Sequence, residues 1–268
     1  MTDNNEWRIR MPDGFERREL DINGIRTVVY SVGSGRPVVY WHGGGTFHGI
    51  NFARDWAPYF RVILPHHPGF GESGAARGCN SLSDYHRHYL ALFDHLGLTQ
   101  VDLIGLSLGG WMAAEFAADQ GDRLRRLVLV APAGLPDEEY PGTRPDAIPS
   151  GEIFSWLAHD VAVFDPHLPR NEDEAAALQR LLEREAATQA RIFPDGPVNP
   201  ELPDRLQRID VPTLLVWGRN DRIAPPGKAD KWLRHLGNAE LAVFDEAGHM
   251  ILDESAAARR AILDFLTA

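Results

Sequence analysis

Four short apolar runs, at 37–41, 62–65, 101–106 and 127–131, alternate with longer stretches of helical character at 83–96 and 108–119. Runs this dense in Val, Leu and Ile suit strands covered on both faces. With helices between them, such strands form a mostly parallel sheet layered by helices on both sides. An opening pair of strands, 17–22 and 25–32, is joined by Asn23-Gly24, a dipeptide suited to a two-residue hairpin turn. After Pro132 the rhythm breaks. The segment 134–208 is rich in proline, has no clear buried strand, and holds two amphipathic stretches, 152–164 and 172–193. In the second, Leu178, Leu181, Leu182 and Ala186 are expected to share one buried helical face. Strands return at 213–217 and 240–244, with helices at 228–236 and 255–266. The expected fold class is therefore α/β: a core domain built from 1–133 and 209–268, and an inserted helical cap at 134–208.

Gly105-Leu106-Ser107-Leu108-Gly109 closes the third run and opens the second helical stretch. A strand, a tight turn and a helix in so few residues push a hydroxyl out of the backbone, where a base can reach it. The flanking glycines remove the Cβ atoms that would stand between the incoming strand and the outgoing helix. The plainer alternative is a serine in an ordinary strand-to-helix turn. A serine hydroxyl is a weak nucleophile at neutral pH and needs a base, an acid to orient that base, and donors for the oxyanion it creates. His249, in Ala247-Gly248-His249-Met250 after the last strand, is the candidate base. Asp221, just past the preceding strand, is the candidate acid, and Asp137 is a less favoured substitute. The chain order Ser107, Asp221, His249 is that of the α/β-hydrolases. His42-Gly43-Gly44-Gly45 offers successive unhindered backbone N–H groups. Gly44 is the first choice of oxyanion donor and Gly45 the second, paired in either case with the N–H of Leu108.

With these residues in order, the chain resembles a capped member of the α/β-hydrolase superfamily over nearly its whole length. His42 to Gly45 resembles the oxyanion loop, Pro68-Gly69-Phe70-Gly71-Glu72-Ser73 the turn after the fourth strand, and 105–109 the nucleophile elbow. Gly218 to Asp221 resembles the acid loop, and Gly248-His249 with Glu254 the terminal histidine segment. Members that open epoxides or displace halide carry aspartate where this chain has Ser107, so the resemblance implies acyl transfer through an acyl-enzyme, with no metal and no organic cofactor. One departure stands out. Many relatives have aspartate where this chain has His66, in Pro65-His66-His67-Pro68. The favoured reading is two imidazoles stabilising a turn, with a polar contact near the substrate or the oxyanion loop as the alternative. Neighbouring side chains on a strand point to opposite faces, which argues against a shared metal. His42 is expected to brace its own loop.

The leading expectation for substrate is an ester of a small or aromatic acid. Carbon–carbon cleavage of a vinylogous diketone, as in the meta-cleavage hydrolases, is the first alternative, and a noncatalytic receptor on the same fold is the second. Phe47, His48, Trp111, Trp156 and Met250 are the candidate pocket residues, with His48 equally well placed on a surface loop. Phe154, Leu157, Phe164, Leu182 and Phe193 of the cap add apolar area, and core packing explains them equally well. Arg180, Arg184 and Arg191 read as a solvated helix face, and one turned inward would suit a substrate carboxylate.

Composition narrows the partners. A net charge of −11, from 38 acids against 27 bases, disfavours nucleic acid and anionic membrane. Cys79 is the only cysteine, so no disulfide can form within the chain and a Cys-based zinc site would lack ligands. The polar residues 1–10 lack the apolar core of a secretion signal, and no run approaches the ~20 residues of a membrane span. A cytoplasmic protein acting on a small molecule, as monomer or homodimer, is expected.

Overall fold

The computed structural model describes residues 13–268 apart from 77, 144–146, 150 and 195, so the polar stretch 1–10 lies outside the described residues. Eight strands form one sheet: β1 (Glu16–Ile22), β2 (Ile25–Val32), β3 (Pro37–Trp41), β4 (Arg61–Pro65), β5 (Val101–Leu106), β6 (Leu124–Val130), β7 (Thr213–Gly218) and β8 (Ala239–Phe244). Their order is β1-β2-β4-β3-β5-β6-β7-β8. The two pairings of β2 are antiparallel and the rest are parallel. Ile22 pairs with Ile25 across the first turn, and Asn23 and Gly24 both adopt positive φ, 53° and 80°, as a two-residue turn of this twist requires.

Helices α1 (Leu82–His95), α2 (Leu108–Gln120) and α6 (Gly227–His235) cover one face of the sheet. Helices α7 (Ile251–Glu254) and α8 (Ala256–Thr267), with a 3₁₀ turn at Asn51–Asp55, cover the other. Period-two alternation splits the strands between the two cores: Val39 and Leu103 join the first, Val38 and Ile104 the second. Side-chain caps start α1 and α8, where Ser81 accepts from the Asp84 N–H and Ser255 from the Ala258 N–H.

From β3 the chain runs outward to β4, then returns across β3 to lay down β5. The loops leaving β3 and β5 at their carboxyl ends therefore part company, and the crevice between them is where open α/β sheets bind ligands. The candidate oxyanion loop leaves β3 and the candidate nucleophile leaves β5 at this point.

Between β6 and β7 the described residues form α3 (Ile153–Leu157), a 3₁₀ turn (Val161–His167), α4 (Glu172–Ile192) and α5 (Leu202–Leu206). The single amphipathic stretch expected at 152–164 is broken in two. Ala158 is extended, and the N–H groups of His159 and Asp160 go to the Glu254 carboxylate instead of to helical carbonyls. The buried face of α4 also differs from the expectation. Leu178 and Leu181 are buried with Glu185, Thr188 and Ile192, at alternating spacings of three and four, whereas Leu182 is 38% exposed and Ala186 is exposed. The acid at 185 is drawn inward because hydrogen-bond donors meet it there. No helix among the described residues is long and apolar enough to cross a membrane.

Candidate active site

Ser107 caps the start of α2 with φ 52° and ψ −113°, a strained backbone for a residue with a side chain. Close packing around it enforces the turn. A Cβ at Gly109 would lie far inside contact with the carbonyl oxygens of Trp41 and His42, and one at Gly105 would strike the carbonyl of Gly109. Strand β5 thus reaches α2 only through glycine, and the β3 loop lies directly against the helix. Gly43 sits beside the nucleophile, since a Cβ there would be 3.4 Å from that of Ser107. Leu108 opens α2, where the first backbone N–H groups have no intrahelical acceptor.

The Nδ1 atom of His249 lies 2.8 Å from Oδ2 of Asp221, and the two residues are 4% and 3% exposed. The other oxygen, Oδ1, accepts the N–H groups of Ile223 and Ala224 at 2.9 and 2.8 Å, which fixes the carboxylate's plane. With a carboxylate oxygen as acceptor, Nδ1 carries the imidazole proton and the ring lone pair lies on Nε2. The acid and histidine loops interlock: Asn220 N–H donates to the Ala247 carbonyl at 2.9 Å, and a Cβ on Gly218 would strike the Ala247 and Gly248 carbonyls. Asp137 accepts from Lys231 Nζ and from the N–H groups of Glu139 and Tyr140, so Asp221 is the acid paired with the imidazole.

Glu254 ties the histidine loop to the helical segment. Its carboxylate accepts the N–H of Gly248 at 2.7 Å, of His159 at 2.6 Å and of Asp160 at 2.9 Å. Burial pushes its pKa up against those three donors. Met250, 4% exposed, donates its N–H to the Leu157 carbonyl at 2.9 Å across the same seam.

His42, His66 and His67, in the loops after β3 and β4, are buried and bonded to one another or to the backbone around them. The His67 N–H donates to His42 Nε2 at 3.0 Å, so the His42 proton lies on Nδ1, which donates to the Gly43 carbonyl at 2.7 Å. In turn, His67 Nε2 donates to the His42 carbonyl at 2.9 Å, leaving Nδ1 to accept from the Tyr89 hydroxyl. His66 accepts the Glu72 N–H at Nδ1, and its carbonyl accepts the Ser73 hydroxyl, both at 2.9 Å. Complete burial lowers both pKa values to about 3, and that of His42 far below the ordinary value. His66 meets Tyr30 and His67 meets Tyr89, residues of opposite cores, as their adjacency on an extended chain requires. His66 thus bonds within the turn at Glu72 and Ser73, whereas His67 is bonded to His42 of the candidate oxyanion loop, so the two expected readings divide between the two imidazoles.

The candidate pocket residues divide. Phe47 stacks on Phe164 at 5.6 Å and meets Phe154 at 5.9 Å, joining the β3 loop to the helical segment. His48 is 5% exposed with Nδ1 3.4 Å from Asp253 Oδ2, so it is buried and not on a surface loop. Trp111 packs on Phe193 with ring centroids 4.7 Å apart and donates Nε1–H to Glu115 at 3.0 Å. It borders a polar cleft of about 380 Å³ shared with His86, Asn199 and Arg205. Trp156 lies under the Arg222 guanidinium, 4.1 Å from the ring centroid. Arg184 and Arg191 are not simply solvated: Arg184 donates to the Gly71 carbonyl and Arg191 to the Ala76 carbonyl.

Sequence patterning gave no notice of Glu185 or Gln189. Glu185 is 1% exposed, and burial pushes its pKa up. It accepts from the Thr46 hydroxyl at 2.7 Å, the Gly71 N–H at 2.9 Å and the Thr46 N–H at 3.3 Å. Gln189 Nε2 donates to the Gly44 carbonyl at 2.8 Å. The one signal for them is spacing: Glu185 lies four residues after Leu181 and three before Thr188, and Gln189 four after Glu185.

A mostly parallel sheet with a strained Ser107 elbow and an Asp–His pair on loops at its carboxyl edge defines a hydrolase of the α/β-hydrolase fold. The chain belongs to the family described as serine aminopeptidase, S33, whose model matches residues 51–256. It is 30% identical to 2-hydroxy-6-oxo-6-phenylhexa-2,4-dienoate hydrolase of Burkholderia cepacia, over 92% of this chain and 93% of that one. It is 29% identical to 2-hydroxy-6-oxononadienedioate/2-hydroxy-6-oxononatrienedioate hydrolase of Comamonas testosteroni, with the same coverage of 92% and 93%. A bacterial membrane phospholipase A superposes with a TM-score of 0.81 at 20% identity, covering 95% of this chain and 86% of that chain, a likeness of fold.

Proposed function

We propose that the protein is a serine-type hydrolase that cleaves the carbon–carbon bond of a 2-hydroxy-6-oxo-dienoate, with 134–208 as its cap. The observation that carries the chemistry is the 2.8 Å contact of His249 with Asp221 at the sheet edge that also holds the strained Ser107 elbow. The relatives carry the substrate class, because the two named above act on molecules with the same 2-hydroxy-6-oxo-dienoate unit and different groups at C6. This reading replaces the ester as the leading substrate.

In the 2,6-dioxo tautomer of such a substrate, Ser107 Oγ bonds to C6 while His249 Nε2 takes the hydroxyl proton. The N–H groups of Gly44 and Leu108 receive the oxyanion, a single such donor typically being worth about 2.7–4 kcal/mol. Collapse breaks the C5–C6 bond. The electron pair passes along the conjugated chain to the C2 oxygen, which takes the proton from His249 and leaves as a 2-hydroxydienoate. Water then attacks the acyl-serine with His249 again as base, releasing the carboxylic acid.

The test sets 2-hydroxy-6-oxo-6-phenylhexa-2,4-dienoate beside p-nitrophenyl esters of graded acyl length, on the wild type, Ser107→Ala and Asp221→Asn. The expected result is dienoate plus benzoate with no alcohol, and a fall in kcat of at least about a thousandfold in either variant. Turnover of esters alone would return the ester reading. Failure of a fluorophosphonate to label Ser107 in folded protein would favour a noncatalytic receptor.

A further inference from the structure

Helix α4 presents polar side chains to the loop that leaves β3, where an apolar stripe would have packed at lower desolvation cost. Glu185 holds both the hydroxyl and the N–H of Thr46, and Gln189, one turn further on, holds the Gly44 carbonyl. The peptides of this loop are trans, so each N–H points opposite the carbonyl of its own peptide unit. The Gly43 carbonyl is gripped by His42 Nδ1–H at 2.7 Å, which aims the Gly44 N–H. The Gly44 carbonyl is gripped by Gln189 at 2.8 Å, which aims the Gly45 N–H and fixes the far side of Gly44. One clamp comes from the sheet side and the other from the cap.

We propose that Gln189 and Glu185 are positioning residues for the oxyanion loop: by holding the carbonyl side of Gly44 and the Thr46 end of the loop, the cap helix keeps in place the residue whose N–H receives the oxyanion. The inference rests on the serine-hydrolase reading above. Without Gln189 the glycine peptide is free to rotate, as a Gly-Gly unit does readily. Loss of a whole donor lowers kcat by about 100- to 1,000-fold, and a misaimed donor loses part of that.

Three variants test it, by kcat and KM on the dienoate, by the second-order rate of fluorophosphonate labelling at Ser107, and by thermal midpoint. Gln189→Met keeps the side chain's length and removes only the donor. It should lower kcat and the labelling rate together by about 10- to 100-fold, with KM within about twofold. Glu185→Gln keeps an acceptor for Gly71 and the Thr46 hydroxyl but sets an amide against the Thr46 N–H, and should give a smaller loss in the same two rates. Thr188→Val, on the same helix face but bonded to the Gly69 carbonyl and away from the β3 loop, should leave both rates within about twofold. If the wild type labels and turns over but Gln189→Met matches it in both rates, or if only KM or the midpoint moves, the inference falls and the hydrolase reading stands. If the wild type fails to label at Ser107, both fall.

Discussion

Acidification from pH 7.5 to 5.5 should remove about 4 kcal/mol of folding stability through three buried imidazoles. His66 and His67 have pKa values lowered to about 3, and His88 to about 4, all by burial. In the unfolded chain each returns to about 6.5. Between these values the unfolded state binds the proton and the native state does not, so stability is present above pH 6.5 and drains away as pH falls through the unfolded value. One pH unit below 6.5 costs about 1.4 kcal/mol per imidazole. His42 and His86, also lowered by burial, act in the same direction. Asp102, Glu185 and Glu254, whose pKa values burial raises, act in the opposite direction as pH falls. Against a total stability of about 5–15 kcal/mol the net loss is large. Urea unfolding at both pH values measures it. His88→Phe isolates one imidazole: the Thr27 hydroxyl facing it retains its bond to the Ile25 carbonyl, so the variant should fold and lose about 1.4 kcal/mol less over the same interval. A loss below about 1 kcal/mol in the wild type, or an unchanged pH dependence in His88→Phe, would refute the assignment of neutral buried imidazoles.

Gly109→Ala drives a Cβ into the backbone carbonyls of Trp41 and His42, which have no side-chain rotamer to give way. It should cost about 3 kcal/mol or more in chemical denaturation, and any folded fraction should label more slowly at Ser107. Glu254→Gln leaves one acceptor to serve the Gly248, His159 and Asp160 N–H groups. A loss of about 2 kcal/mol is expected, with reduced kcat as the His249 loop loosens, and hydrogen exchange at Gly248 and His159 would report it directly. Unchanged exchange there would sink that role for the carboxylate.

What was legible in the chain was what depends on neighbours in sequence. The Asn23-Gly24 turn, the glycine-flanked Ser107 and the loop positions of Asp221 and His249 each follow from a few adjacent residues beside a strand. Segments whose conformation depends on distant groups read less well. The stretch after α3 unwinds at Ala158 because a carboxylate nearly a hundred residues later takes its N–H groups, and helical periodicity contains no such term. On α4 the apolar moment pointed toward Leu182 and Ala186, yet the helix turned Glu185 inward to the donors of Thr46 and Gly71.

The amino-acid order alone determined the alternation of strand and helix and the sharp turn at Ser107, because backbone sterics and side-chain periodicity act over a few residues. It also placed the candidate base and acid after successive strands. Only the tertiary structure decided which imidazole is paired and which are locked neutral, that Asp221 and not Asp137 serves His249, and that a buried acid and an amide of α4 grip the β3 loop. Those outcomes turn on desolvation and on hydrogen-bond partners brought together from far along the chain. Neither exists until the sheet and the segment at 134–208 have packed against each other.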